Sequence, residues 1–290
     1  MLRVGLLGAG PWASSVHAPA FAAGPETCLV GVWSRTAASA RTLAATHGVP
    51  TCDSVDALLD ACDAVAIAVP PTIQPDLAVR AARAGKAVLL EKPVGVTVDD
   101  AERVADAVGE AGVGSLVTLT YRFRPHVEAF LAAARAGRWS GGRACFLSGA
   151  FLGGPYHRSP WRGEHGALLD VGPHVLDLID AALGPVVDVR AAGREWVSLV
   201  CEHESGAVSD VAVSCSVAIT PSRTEVELFG PDGDLALDAR DCPREVWVAA
   251  IRERFAAVAE AGATPHDLDV QRGLHLQRLV DAAVRGTAGP

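Results

Sequence analysis

Nowhere in this 290-residue chain does an apolar run approach the roughly 18–20 residues needed to span a bilayer, so no membrane partner is expected. Basic residues are not in excess either. Lys and Arg number 25 against 34 Asp and Glu, for a net charge of −9, and the pI is near 5.4. Nucleic acid is excluded as the main partner, because phosphate binding wants a basic face. The seven cysteines (28, 52, 62, 145, 201, 215 and 242) are odd in number, scattered, and form no C-x-x-C. Neither a metal site nor a disulfide framework is expected, and the cytoplasm is the expected compartment. Met1–Gly8 carries one positive charge and a very short apolar stretch before glycine, so it reads as a first strand and not as a signal peptide. Internal repeats and low-complexity linkers are missing.

What the chain does have is core material. Half of its residues are hydrophobic and a fifth are charged, the profile of an Ala/Val/Leu-rich folded enzyme. The length accommodates two modest domains or one large one.

The opening third alternates strand and helix. Val4–Leu7 reads as a short strand, followed by a glycine-rich turn and a small-residue helix to about Ala23. Cys28–Trp33 is a second strand and Ala37–Thr46 an Ala-rich helix. Ala64–Val69 is almost wholly apolar, as a strand buried on both faces should be. Pro75–Ala84 is helical and Ala87–Leu90 extended. A helix over about Val98–Ala111 is introduced by Thr97 and Asp100, spaced like a capping box. Such alternation implies right-handed βαβ crossovers and a doubly wound parallel sheet.

From about Gly141 the pattern changes. Ala144–Leu152, Val186–Ala192, Glu195–Glu202, Ala207–Val217, Thr224–Phe229 and Asp234–Leu237 read as consecutive strands separated by turn signals. Helices over about Arg244–Glu260 and His266–Val284 close the chain. The expected fold class is α/β: a Rossmann domain over residues 1–121, then an α+β domain over 122–290 with an open, mainly antiparallel sheet.

Gly8-Ala9-Gly10-Pro11-Trp12-Ala13 matches G-x-G-x-x-[G/A] between the first strand and the first helix. The first glycine makes the tight turn and the second admits pyrophosphate to the backbone. The small residue at 13 lets helix and strand pack closely. In this context the motif predicts dinucleotide binding; a merely tight βα turn is the plainer alternative. NAD-binding versions usually carry an acid near the end of the second strand. Here no Asp or Glu occurs from Thr27 to Cys52, and the strand runs into Ser34-Arg35-Thr36. Ser34 and Thr36 can hydrogen-bond a 2′-phosphate, and Arg35 can pair with it. NADP is therefore expected over NAD, against the alternative that Arg35 is an ordinary solvated arginine.

Lys92, in Glu91-Lys92-Pro93, follows an apolar strand at the carboxyl edge of the sheet, where doubly wound folds bind ligands. The proline fixes a turn there, with a cis bond as one possibility. A random lysine after a strand is more commonly a surface residue. Asp170 and His174 are four apart on an expected helix running to about Ala182, one turn apart on one face. A histidine suits proton transfer at neutral pH, although such a pair is also common on an ordinary polar helix face.

The segment Ala84–Pro93 resembles the signature of the glucose–fructose oxidoreductase/inositol dehydrogenase/MocA (Gfo/Idh/MocA) family. The likeness extends to Arg122-Phe123-Arg124-Pro125, to Gly166–His174, and to the turn Phe229–Leu235. Where the family often reads T-P-N-x-x-H, this chain has Val69-Pro70-Pro71-Thr72-Ile73-Gln74, with Pro71 and Gln74 in place of the usual Asn and His; Pro70 still fits the loop over the cofactor, and Val69 and Pro70 are candidate cofactor contacts. Thr120 stands where an asparagine is common. The resemblance implies an NAD(P)-dependent dehydrogenase or reductase acting on CH–OH groups of a sugar, cyclic polyol or related compound. It implies that His174 takes the hydroxyl proton as hydride passes to nicotinamide, while Lys92 and Asp170 hold that hydroxyl. Arg122 is a candidate substrate contact. Tyr156, His157, Arg158, Trp161, Arg162 and His165 fit two readings equally: the lining of a sugar-like substrate or a solvated loop. Asp177 is expected to cap or pair on the helix surface, and His17 to pack beneath the cofactor loop. Two alternatives stand beside the enzyme reading: a dinucleotide sensor of the same fold without catalysis, and a reductase of a non-sugar C=O or C=N bond. The broad open sheet implies a homodimer or homotetramer.

Overall fold

The computed structural model describes residues 1–153 and 160–287. The chain divides into two compact units. The first is Met1–Thr118 together with Val248–Leu274; the second is Leu119–Trp247 together with the chain from His275 on.

The first unit is built on five parallel strands, β1 (Leu2–Leu7), β2 (Thr27–Trp33), β3 (Ala64–Ile67), β4 (Ala87–Leu90) and β5 (Ser115–Val117), in the order β2-β1-β3-β4-β5. Every residue of β3 and β4 is buried, as a sheet covered on both faces demands. The crossovers are helical. A π turn (Ala13–His17) leads into α1 (Ala18–Ala22), followed by α2 (Ala37–His47), α3 (Val55–Ala61), α4 (Gln74–Arg83) and α5 (Val98–Ala111). The expected capping box at α5 is present: the Asp100 amide donates to Thr97 Oγ1 at 3.1 Å and the Thr97 amide to Asp100 Oδ2 at 3.4 Å.

The sequence reading ran the first domain to residue 121 and assigned all later residues to the second, yet Val248–Leu274 packs with the first unit. This segment covers the otherwise open edge of β5. The Val117 amide donates to Leu268 O at 2.8 Å, and the Val270 amide to Ser115 Oγ at 3.0 Å. Phe255, fully buried, meets Phe21 edge-on with ring centroids 5.7 Å apart. Covering an edge strand removes unpaired backbone groups from solvent and contributes apolar burial at the same place.

The second unit carries six strands: β6 (Gly141–Leu147), β7 (Val186–Gly193), β8 (Val197–His203), β9 (Val208–Ser214), β10 (Arg223–Gly230) and β11 (Gly233–Asp238). Their order is β11-β10-β6-β9-β8-β7, antiparallel except for β6 against β9. Side chains alternate across the sheet. Val197, Leu199 and Cys201 are buried, whereas Ser198 and Val200 face outward. A helix α6 (Pro125–Ala136) precedes β6, and α7 (Pro160–Leu183) packs on β6 and β9. The helices α8 (Arg244–Ala261) and α9 (Val270–Thr287) come last. Among the described residues no helix is long and apolar enough to cross a membrane, and all seven cysteines are free thiols.

Candidate active-site residues

In a parallel sheet the carboxyl ends of all strands lie at one edge, so Gly8–Ala13, Ser34–Thr36, Val69–Pro70 and Glu91–Lys92 share that edge of the first unit. Gly8 lies where β1 adjoins both β2 and β3, the point at which the strand order reverses. Its amide donates to Trp33 O at 2.8 Å. With φ +119°, a Cβ on Gly8 would stand 2.2 Å from Ala68 O, so no side chain fits. Gly10 differs. A Cβ there meets no protein atom within 4 Å, and the residue is exposed. That open space beside a turn entering a helix is the cradle a pyrophosphate requires, and a side chain would fill it.

At the end of β2, Arg35 is exposed and enters no ion pair or hydrogen bond among the described residues, and the Thr36 amide donates to Ser34 Oγ at 3.4 Å. The carboxylate of Glu91 is held from the helix that follows the glycine loop. Trp12 Nε1 donates to Glu91 Oε1 at 2.7 Å, and His17 Nε2 approaches the same oxygen at 2.7 Å. A carboxylate only accepts, so that ring nitrogen of His17 carries the proton. His17, fully buried and stacked on Phe21, thus anchors Glu91 in addition to packing beneath the loop. Lys92 is half-buried, and the Lys92–Pro93 bond is cis.

In the second unit, Gly166 takes φ +72° inside α7, so the helix bearing Asp170 and His174 begins after it. Both side chains are buried. Arg162, from before the break, donates Nε to Asp170 Oδ2 at 2.8 Å and lies 4.4 Å from the Trp161 ring centroid. The imidazole of His174 packs against two rings that also touch each other: Tyr121 meets it edge-on at 5.4 Å, Phe146 is stacked at 6.3 Å with planes 20° apart, and the Tyr121 and Phe146 centroids are 6.3 Å apart. Tyr121 in turn bonds Thr224 Oγ1 at 2.9 Å and lies beneath the Arg124 guanidinium, 4.5 Å from the centroid. Burial pushes the Tyr121 phenol above its ordinary value, which keeps it neutral.

Arg122 is buried and pairs with Asp177 Oδ1 at 3.0 Å. Asp177, expected on the helix surface, is itself buried, because an isolated arginine there would carry an uncompensated charge. His165 is half-buried, with Nε2 4.0 Å from Glu164. Tyr156, His157 and Arg158 lie outside the described residues. Among the described residues no three His, Cys, Asp or Glu side chains gather as a metal-ligand set. Sequence reasoning missed Tyr121 and Phe146. Tyr121 was within reach, since it directly precedes the Arg122-Phe123-Arg124 motif, whereas Phe146 has only a place in a strand.

Residues 2–119 match the model of an oxidoreductase family with an NAD-binding Rossmann fold, and residues 125–236 match a GFO/IDH/MocA C-terminal domain. The chain is 36% identical over 258 residues to the dTDP-3,4-didehydro-2,6-dideoxy-alpha-D-glucose 3-reductase of Streptomyces violaceoruber, covering 83% of this chain and 74% of the relative. It is 29% identical over 283 residues to D-xylose 1-dehydrogenase (NADP(+)) 2 of Haloferax volcanii, covering 86% of each. The solved structure of UDP-N-acetylglucosamine 3-dehydrogenase from Acidithiobacillus ferrooxidans aligns with a TM-score of 0.86 at 23% identity, over 99% of this chain and 97% of that one; the likeness is one of fold.

Proposed function

Because the chain belongs to the Gfo/Idh/MocA family of NAD-binding oxidoreductases, we propose that it interconverts an alcohol and a carbonyl on a sugar, cyclic polyol or related substrate with NADP. The observation that carries the reading is the convergence of the Gly10 cradle, the acid-free turn Ser34–Thr36 and Lys92 on one sheet edge. The names of the Streptomyces and Haloferax relatives, both sugar oxidoreductases, support the substrate class.

Gly8–Ala13 would hold the pyrophosphate, and Ser34, Arg35 and Thr36 the 2′-phosphate, for which an exposed arginine without a partner among the described residues is well suited. The group supplies or accepts hydride at nicotinamide when bound. The chain's own residues handle the proton. His174 takes it from the substrate hydroxyl in oxidation and returns it in reduction, its ring oriented by Tyr121 and Phe146. Lys92 and Asp170 hold the reacting oxygen. Of the 25 Lys and Arg residues, only Lys86 and Lys92 are lysines. An ammonium is a compact charge with three rotatable donors, which suits a reacting oxygen better than a planar guanidinium.

The outward face of the six-stranded sheet, with Trp196, Val200 and Cys145 beside Arg143 and Glu227, is assigned to a second copy of the chain. Mass measured by light scattering tests this, and a monomer at micromolar concentration would overturn it.

The deciding experiment titrates the protein with NADPH and NADH by fluorescence, then screens sugars, polyols and nucleotide-activated sugars for turnover. Selective NADPH binding and turnover of one such compound are expected. NADH selectivity would overturn the cofactor assignment alone. Turnover confined to a non-sugar carbonyl or imine would overturn the substrate class, and binding without any turnover would favour a sensor.

A further inference from the structure

Gln74 is the first residue of α4 and is fully buried. Its side chain contacts the main chain of the Glu91–Val94 turn at four points. Oε1 accepts the Glu91 amide at 2.8 Å; Nε2 lies 2.6 Å from Glu91 O, 3.0 Å from Pro93 O and 3.1 Å from Val94 O. The orientation of the carboxamide follows from the partners. The Glu91 N–H needs an acceptor and the carbonyls need donors, so only one way round serves them, with the two N–H groups of Nε2 shared among three carbonyl oxygens.

These contacts lie on both sides of Lys92. Residue 91 is gripped through its N–H and its C=O, and residues 93 and 94 through their carbonyls. Pro93 has no N–H to offer a neighbour, so the turn depends on donors from elsewhere for its carbonyls. The other handle on the turn is the Glu91 carboxylate, tied to Trp12 and His17. Lys92 therefore extends from a short piece of backbone that one buried side chain holds on both sides of it. A carboxamide carries two N–H donors and an acceptor oxygen on one rigid group. A histidine, common at this position in the proteins the chain resembles, has two ring nitrogens and cannot reproduce all four contacts.

We propose that Gln74 is a positioning residue for Lys92: by clamping the backbone before and after the lysine it determines where the ammonium group stands. The proposal rests on the assignment of Lys92 to the reacting oxygen. Gln74 touches neither substrate nor cofactor in this scheme.

The two-lysine composition supplies the test. Protein grown on lysine labelled with carbon-13 at Cε has two lysine signals, assigned with Lys92→Arg. Lys86, whose Nζ donates to Cys62 O at 2.9 Å, is the internal reference. Gln74→Leu removes all four contacts, and Gln74→Glu keeps the acceptor for the Glu91 amide while losing the donors. Gln74→His restores one donor.

In ligand-free Gln74→Leu and Gln74→Glu, the Lys92 signal is expected to move while the Lys86 signal stays. With the substrate found by the screen, kcat is expected to fall at least about tenfold while KM and NADPH affinity change less than about threefold. Gln74→His is expected to recover part of the loss. If Gln74→Leu does not fold, Gln74→Glu and Gln74→His carry the comparison. Folded variants with wild-type Lys92 signals and kcat overturn the proposal. So does a series in which every variant unfolds, because Gln74 would then be purely structural. If the wild-type protein binds no dinucleotide and turns over nothing, the proposed function fails, yet the ligand-free Lys92 signal still reads whether Gln74 places that side chain.

Discussion

Arg162 donates Nε to Asp170 Oδ2 at 2.8 Å across the backbone break at Gly166, with the carboxylate side chain 8% exposed. The left-handed conformation at Gly166 ends one helical stretch and begins the next, and this ion pair bridges the two. Removing the guanidinium withdraws a charge-assisted donor from a buried acid. Arg162→Ala is therefore expected to destabilise the protein by about 1–3 kcal/mol in urea unfolding. A change below about 0.3 kcal/mol would mean that Asp170 draws its stabilisation from elsewhere.

The two glycines of the loop fail differently. Gly8→Ala puts a Cβ against Ala68 O at a backbone angle that alanine rarely adopts, so its melting temperature is expected to drop. Gly10→Val meets no protein atom at Cβ and is expected to fold normally but lose dinucleotide binding. Fluorescence titration and thermal melts of both variants separate the cases. Normal NADPH binding by Gly10→Val would take the phosphates away from this loop.

Arg35→Ala is expected to weaken NADPH by about ten- to a hundredfold, the worth of one charge-assisted contact, and to leave NADH nearly unchanged. Equal weakening of both would remove Arg35 from 2′-phosphate recognition.

Lys92→Ala and His174→Ala are each expected to retain dinucleotide affinity and to lose turnover by about 10²-fold or more. Wild-type rates in either would exclude that residue from the proton chemistry. Tyr121→Leu frees one side of the His174 ring and is expected to lower kcat more than it raises KM.

Burial pushes the Cys201 thiol up to about 12. An unfolded thiol ionises near ~8.5, so the folded protein favours the neutral form. That contribution to stability is fully present below the unfolded value and is lost as pH rises from there towards 12. Wild-type protein should lose stability faster than Cys201→Ala between about pH 8.5 and 10. Parallel pH curves would show that Cys201 ionises as freely folded as unfolded.

Much of the first unit was readable residue by residue. The buried runs of β3 and β4, the glycine loop and the Thr97–Asp100 box are local signals, each contained within about one element. The elements that escaped were α3, α6 and β5. With seven and three residues, α3 and β5 are too short to display a period. Pro125 at the first turn of α6 was a usable start signal that the junction motif obscured.

By itself the amino-acid order determined the α/β alternation, the Gly8 turn, the lysine at the end of β4 and the one-turn spacing of Asp170 and His174. These depend on backbone conformation and hydrophobic period, which neighbouring residues dictate. Only the tertiary structure decided that Gln74 clamps the turn around Lys92, that Tyr121 and Phe146 pack against His174, and that residues 248–274 close the edge of β5. Those contacts join residues 17 to more than 150 positions apart. They follow from which buried donors, acceptors and rings must satisfy one another once the layers have packed, and no local pattern records that.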